Sequence, residues 1–157
     1  MSASAINVLL VEDNPGDIQL IREMLAAAGD DQFTFEHTDR LATGLTRLAG
    51  GGVDVLLLDL GLPDTVGLET FTKAYAQAEH VPIIVLTDHG DEALAVRAVQ
   101  EGAQDHLGKG EIDGRLLTRS IRHAVERKRE HRQLYLQAAA LSVARDAIMI
   151  TDCFGRM

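Results

Sequence analysis

Short apolar segments alternate with segments of helical periodicity along most of this 157-residue chain. Five of them are rich in β-branched residues and are predicted to be strands, at residues 6–11, 33–37, 53–58, 81–86 and 103–107. The third and fourth are almost wholly apolar, which is typical of parallel strands buried on both faces. The alternation predicts an α/β fold, a doubly wound five-stranded parallel sheet with right-handed crossovers.

Capping residues and glycines delimit the helices predicted between these strands. The first helix is expected to have Asn14 as its N-cap and Pro15 as its first residue, and Gly29 is placed to end it. Further helices are predicted over about residues 41–48, 67–78 and 91–101. These helices are expected to cover both faces of the sheet.

The sequence changes character after residue 113. Residues 115–145 contain no Pro or Gly, which allows one long helix whose first part covers the sheet and whose charged continuation leaves it. We expect a domain over residues 5–126, a helical linker over residues 127–145, and the start of another module at residues 146–157. An imperfect heptad pattern leaves two alternatives, a coiled coil in a homodimer and a single solvated helix.

The composition argues against several classes of protein. The net charge of -9 argues against sequence-independent binding to nucleic acid, because phosphate contacts need clustered Lys and Arg. Cys153 is the only cysteine, so neither a disulfide framework nor a Cys-rich metal site is expected. No apolar stretch approaches the roughly 18–20 residues of a membrane span, and the N-terminus does not resemble a signal peptide. These features predict a soluble cytoplasmic protein without membrane insertion.

Polar residues stand where four of the predicted strands end. Glu12 and Asp13 follow the first strand, Asp59 the third, Thr87 the fourth, and the fifth leads to Lys109. In a flavodoxin-like sheet of order 2-1-3-4-5 the first and third strands are neighbours, so the three carboxylates are expected to converge. Such a cluster needs raised pKa values or a bound cation, and hard oxygen ligands suit Mg²⁺.

The same residues are suited to phosphoryl transfer. A carboxylate can act as a nucleophile towards phosphorus, while a cation, an ammonium and a hydroxyl stabilise the transferring group. Taken singly, each residue has a structural explanation: Asp13 could cap a helix, Thr87 could belong to a turn, and Lys109 could be an ordinary surface lysine. Their joint occurrence at the ends of four strands favours a functional site.

Four stretches of the chain resemble the receiver domain of two-component response regulators. They are residues 8–14, residues 56–64 followed by Gly67, residues 82–87 and residues 102–109, and the resemblance spans about residues 6–125. It implies that Asp59 is the phosphoacceptor and that Thr87 and Lys109 hold the phosphoryl group. It further implies that Mg²⁺ is bound by Asp13, Asp59 and the backbone carbonyl of Gly61, with Glu12 assisting through water. The phosphodonor would be a phosphohistidine on a sensor histidine kinase or a histidine phosphotransfer protein.

Three residues depart from the pattern of that family. Gly110 stands where a Pro, commonly preceded by a cis bond, is usual, so a trans and looser loop is predicted. Asp88 replaces a small residue and adds negative charge near the site. His106 replaces the aromatic switch residue, so the switch formed by Thr87 and His106 would respond to pH. The alternative is a partly exposed imidazole with no special role.

Residues 146–156 resemble the beginning of a PAS domain, which implies that a sensory module, and a kinase or cyclase after it, would follow. The leading interpretation is a receiver that catalyses its own phosphorylation and dephosphorylation without being a conventional enzyme. Phosphorylation would change the face formed by the fourth helix, fifth strand and fifth helix, and with it the C-terminal helix. One alternative is an unphosphorylated pseudo-receiver that serves for docking or dimerisation. A hydrolytic phosphatase is disfavoured, because Gly61 stands where such enzymes usually carry a second acid.

Overall fold

A computed structural model describes residues 5–29, 32–78 and 80–130 of the chain. Within these ranges, five parallel strands form one sheet in the order β2-β1-β3-β4-β5. The strands are β1 at Ile6–Val11, β2 at Phe33–Thr38, β3 at Val55–Asp59, β4 at Ile83–Thr87 and β5 at Asp105–Gly108. The predicted fold class and strand order are therefore confirmed.

Helices connect successive strands and cover the sheet on both sides. They are α1 at Pro15–Ala27, α2 at Leu41–Ala49, α3 at Leu68–Gln77 and α4 at Glu92–Gln100, followed by α5 over residues 114–130. The strand boundaries differ from the prediction mainly at β3, β4 and β5, each of which begins two residues later and ends one residue later. Asp59 and Thr87 are thus the last residues of their strands, and their backbones are held by pairing with neighbouring strands.

The core consists of two apolar layers, one on each face of the sheet. Side chains alternate between the faces along each strand, so Leu56 and Leu58 lie in one layer while Val55 and Leu57 lie in the other. The first layer is completed by α2, α3 and α4, and the second by α1 and α5. Both layers bury β3 and β4 completely, which explains why these strands carry almost no polar residues before their last position.

The start of α1 follows its sequence signals closely. The side chain of Asn14 accepts hydrogen bonds from the backbone N–H groups of Gly16 at 2.8 Å and Asp17 at 3.2 Å. This confirms Asn14 as the N-cap and Pro15 as the first helical residue. Only three residues separate the end of β1 at Val11 from the start of α1 at Pro15. The cap therefore holds the first turn of α1 next to the carboxyl edge of the sheet.

Several sequence-based predictions concern the C-terminal part of the chain. The linker was predicted at residues 127–145, and the structure describes it only as far as residue 130. The PAS-like segment at residues 146–157 lies wholly outside the described ranges.

No peptide bond in the described ranges is cis, so the trans bond predicted before Gly110 is confirmed. None of the helices described is both long enough and apolar enough to cross a membrane.

Candidate functional site

The register of the sheet aligns the ends of four strands at one edge. Val11 pairs with Leu58, Asp59 with Leu86, and Thr87 with Gly108. Residues just after β1 and β5 therefore lie at nearly the same level as the last residues of β3 and β4. The backbone N–H of Lys109 donates to the carbonyl of Thr87 at 2.8 Å, which extends this alignment one residue beyond β5.

Three carboxylates converge at this edge, as the sequence predicted. Oxygens of Glu12, Asp13 and Asp59 lie within 4.8 Å of one another. Glu12 is fully buried, Asp59 is 5% exposed, and Asp13 faces solvent. Oε1 of Glu12 accepts hydrogen bonds from the backbone N–H groups of Asp13 and Asn14, at 3.1 and 3.2 Å. The cluster is therefore anchored deeply at Glu12 and opens to solvent at Asp13.

The ammonium of Lys109 lies inside a ring of carboxylates. Its Nζ is 2.7 Å from Glu12 Oε2, 3.2 Å from Asp17 Oδ2, 3.4 Å from Asp59 Oδ2 and 3.9 Å from Asp88 Oδ1. The Lys109 side chain is only 10% exposed. A shielded ammonium with several anionic neighbours interacts more strongly than a surface lysine, because the surroundings screen it less.

Burial and mutual repulsion perturb the ionisation of this group. Burial raises the pKa of Glu12 to about 7, although the hydrogen bond to Lys109 opposes the shift. Burial also raises the pKa of Asp59, against the opposing effects of the hydrogen bond with Glu12 and the charge of Lys109. Burial alone would lower the pKa of Lys109, but its hydrogen bond to Glu12 and the charge of Asp59 raise it above its ordinary value.

The residues at the site fit a hard divalent cation. Their donors are carboxylate oxygens, and Oε2 of the fully buried Glu12 has the Lys109 ammonium, at 2.7 Å, as its partner. A cation with oxygen ligands would compensate the excess negative charge that the Lys109 ammonium only partly balances. The described part of the chain has no other group of three such ligands within the same distance.

In the loop after β3, the N–H and the carbonyl of Gly61 take no part in the backbone hydrogen bonds of the loop. Gly61 forms a bridge with Val66 in which the flanking residues carry the hydrogen bonds, from Gly67 to Leu60 at 2.7 Å and from Leu62 to Thr65 at 2.9 Å. The N–H of Gly61 instead donates to Asp59 Oδ1 at 3.3 Å. Its carbonyl accepts no hydrogen bond from a described residue, which leaves it available as an oxygen ligand.

The two residues predicted to form a switch border one cavity. Thr87 is buried, His106 is exposed, and both line a cavity of about 520 Å³ together with Lys109 and residues of α4 and α5. Asp88 lines the same cavity, as expected for a residue that follows Thr87. The structure therefore brings Glu12, Asp13, Asp59, Thr87 and Lys109 together at the carboxyl edge of the sheet, whereas His106 lies within β5, paired with Val85.

Asp17 is the residue that the sequence analysis did not assign to the site. It was recognised only as an acidic residue in the first turn of α1, a common stabilising feature. A signal was nevertheless present, because α1 starts directly after the edge where the other acidic residues gather. Only the three-dimensional structure shows that the Asp17 carboxylate, in the first turn of α1, reaches Lys109 just after β5.

The arrangement combines an anionic oxygen, a cluster of carboxylates whose oxygens suit a divalent cation, and a positive charge. Asp59 Oδ2 can approach an electrophilic centre while Lys109 neutralises anionic oxygens next to it. The hydroxyl of Thr87 is available as a hydrogen-bond donor at the rim. Such a set favours transfer of a phosphoryl group to a carboxylate.

Comparison with known proteins identifies a family for most of the chain. Residues 8–122 match the family described as "Response regulator receiver domain". The KDP operon transcriptional regulatory protein KdpE of Escherichia coli strain K12 is 40% identical over 124 residues, which are 75% of this chain and 52% of that protein. The C4-dicarboxylate transport transcriptional regulatory protein DctD of Pseudomonas aeruginosa is 35% identical over 135 residues, 84% of this chain and 28% of that protein. The chain thus spans about half the length of the first relative and less of the second.

Solved structures show the same fold. A response regulator receiver domain protein from Clostridium thermocellum superposes with a TM-score of 0.70 at 25% identity, covering 79% of this chain and 97% of that one. The signal receiver domain of a Luxo repressor protein from Vibrio parahaemolyticus gives a TM-score of 0.71 at 25% identity, covering 83% of this chain and 97% of that one.

Proposed function

The chain belongs to the response regulator receiver domain family, and on that premise we propose that it accepts a phosphoryl group on Asp59 in a two-component phosphorelay. The observation that carries the proposal is the position of Asp59 Oδ2. It lies 3.4 Å from the ammonium of Lys109 and belongs to a carboxylate cluster that suits a divalent cation. A nucleophilic oxygen, a counter-charge and a metal site thus occur together.

The proposed metal is Mg²⁺, held by Asp13, Asp59 and the backbone carbonyl of Gly61, with Glu12 acting through water. The carboxylate cluster and the free carbonyl of Gly61 support this assignment. When bound, Mg²⁺ would supply positive charge that offsets the charge of the transferring group.

In the proposed reaction, a carboxylate oxygen of Asp59 attacks the phosphorus of a phosphohistidine. A P–O bond forms as the P–N bond breaks, and the imidazole leaves with its electron pair and takes up a proton. Lys109 neutralises one phosphoryl oxygen, and the Thr87 hydroxyl donates a hydrogen bond to another. Attack of water on the acyl phosphate later returns the free carboxylate and inorganic phosphate.

The proposed donor is a sensor histidine kinase or a histidine phosphotransfer protein, encountered in the cytoplasm. Thr87 would move towards the phosphoryl group, and His106 would turn from solvent into the cavity that both residues line. Because imidazole titrates near neutral pH, this movement would depend on the protonation of His106.

The proposed output lies on the surface formed by α4, β5 and α5. Exposed Val96, Val99 and Leu116 support a role in contacts, because α4 and α5 leave these apolar side chains in solvent. The signal would pass through α5 to the linker and to a PAS-like module beyond it, and a homodimer through the last helix would be one way to transmit it.

The proposal is tested by titrating beryllofluoride, a phosphoryl mimic, into the protein with Mg²⁺ while recording amide NMR spectra. We expect saturable shifts around Asp59, Thr87 and Lys109 that disappear without Mg²⁺ and in Asp59→Ala. Asp39→Ala, which removes an exposed acid outside the site, should bind normally. An unchanged spectrum of the wild-type protein at millimolar Mg²⁺ and beryllofluoride would instead favour a pseudo-receiver that serves only for docking.

A further inference from the structure

Lys109 has a carboxylate partner that does not belong to the metal-binding cluster. Asp17 Oδ2 lies 3.2 Å from Lys109 Nζ, whereas the acidic cluster consists of Glu12, Asp13 and Asp59. The Asp17 side chain is 28% exposed, so this ion pair lies at the entrance of the site. A third anionic partner is thus available to an ammonium that already contacts Glu12 and Asp59.

The position of Asp17 is fixed by the start of α1. Asn14 caps the helix and hydrogen bonds to the backbone N–H of Asp17, and Pro15 sets the direction of the first turn. An acid in a first turn also stabilises its helix through the macrodipole. That general effect does not require an ion pair with a residue outside the helix. Here the carboxylate of Asp17 also reaches Lys109, which follows β5.

A cation at the acidic cluster changes which partners Lys109 can keep. Carboxylate oxygens of Glu12 and Asp59 would turn towards that cation, and two positive charges would then repel each other. Asp17 lies outside the cluster and can hold the ammonium in this state. A phosphoryl group on Asp59 would afterwards have to draw Lys109 away from Asp17.

We propose that Asp17 is a positioning residue for Lys109, which it holds when the metal is bound and which it releases only in competition with the phosphoryl group. This inference rests on the proposed function of Asp59 and deepens it. Asp17 then has two opposite effects: it favours metal binding by accommodating Lys109, and it weakens the phosphorylated state by competing for the same ammonium.

The first test measures binding of beryllofluoride at saturating Mg²⁺. Asp17→Asn should bind roughly two- to fivefold more tightly than the wild type, the range expected for a partly exposed ion pair. The acyl phosphate formed from a small phosphodonor should also persist longer. Glu23→Gln removes the same charge from the same helix without contacting Lys109 and should leave both values unchanged. Equal or weaker binding by Asp17→Asn would overturn the proposal.

The second test does not depend on phosphorylation. Mg²⁺ affinity is measured for the wild type, Asp17→Asn, Lys109→Met and the double variant, with Lys109→Gln as a substitute if Lys109→Met does not fold. If Asp17 acts through Lys109, Asp17→Asn should weaken Mg²⁺ binding more when Lys109 is present than when it is absent. An equal effect in both backgrounds would show a purely direct charge effect and would refute the positioning role. Failure of the wild type to bind beryllofluoride would count against the proposed function alone, because this cycle would still decide the role of Asp17.

Discussion

The buried carboxyl of Glu12 should make the stability of the metal-free protein depend on pH. Glu12 is fully buried, and burial raises its pKa from 4.5 to about 7 even though its hydrogen bond to Lys109 opposes the shift. Replacement by Gln keeps the shape and size of the side chain but removes its titration. Comparison of Glu12→Gln with the wild type therefore isolates what ionisation of this one group does to the fold.

The sign and size of the effect follow from linkage between protonation and folding. Because the folded protein holds the Glu12 proton more tightly than the unfolded chain, protonation stabilises the fold. This stabilisation is complete below pH 4.5 and is lost as the pH rises to about 7. The difference between 4.5 and about 7 corresponds to about 3 kcal/mol of unfolding free energy, at about 1.4 kcal/mol per pH unit.

The measurement is urea unfolding followed by circular dichroism, between pH 4.5 and 8, in a buffer that chelates divalent cations. The unfolding free energy of the wild type should decrease over this range, and that of Glu12→Gln should decrease by about 3 kcal/mol less. A smaller slope should persist in the variant, because burial also raises the pKa of Asp59. Glu23→Gln, which neutralises an exposed acid, should follow the wild type. Equal slopes for wild type and Glu12→Gln would refute the reasoning.

Three further predictions concern other residues of the fold and site. Asp64 accepts hydrogen bonds from the backbone N–H groups of Leu41 and Ala42 at the start of α2, both at 3.0 Å. Asp64→Ala should therefore lower the unfolding free energy measured in urea by about 1 kcal/mol, and Asp64→Asn should lower it by less. Lys109→Met should raise the Mg²⁺ affinity measured by calorimetry, since it removes a competing cation; weaker binding would contradict that competition. His106→Phe should reduce the pH dependence, between 5.5 and 7.5, of the NMR changes that beryllofluoride causes around the cavity lined by Thr87 and His106, while the dependence that stems from Glu12 should persist. Wild-type changes that are indifferent to pH would rule out a proton-coupled switch.

The sequence was sufficient to predict the sheet and the position of the acidic cluster. Apolar runs such as those in β3 and β4 indicate buried parallel strands, and in such a sheet the carboxyl ends of β1 and β3 must be neighbours. The convergence of Glu12, Asp13 and Asp59 follows from that topology. Strand limits were less accurate, because backbone pairing rather than side-chain polarity decides that Asp59 and Thr87 belong to strands.

The partners of Lys109 could not be predicted from the sequence. Its Nζ contacts residues that follow β1, end β3 and begin α1, so the ion pairs depend on how a helix packs across the sheet. The sequence showed that an acid stands at Asp17, but not that its carboxylate points towards Lys109. It likewise indicated Glu12 without showing that this residue is fully buried and paired with Lys109 at 2.7 Å.

The central claim is that Asp59 accepts a phosphoryl group in a Mg²⁺-dependent reaction. The most direct test is to incubate the protein with acetyl phosphate and Mg²⁺ and to locate the modification by tandem mass spectrometry. We predict one phosphoryl group per chain on Asp59, absent when Mg²⁺ is chelated and absent in Asp59→Ala. A phosphoryl group on another residue, or unchanged modification of Asp59→Ala, would contradict the claim.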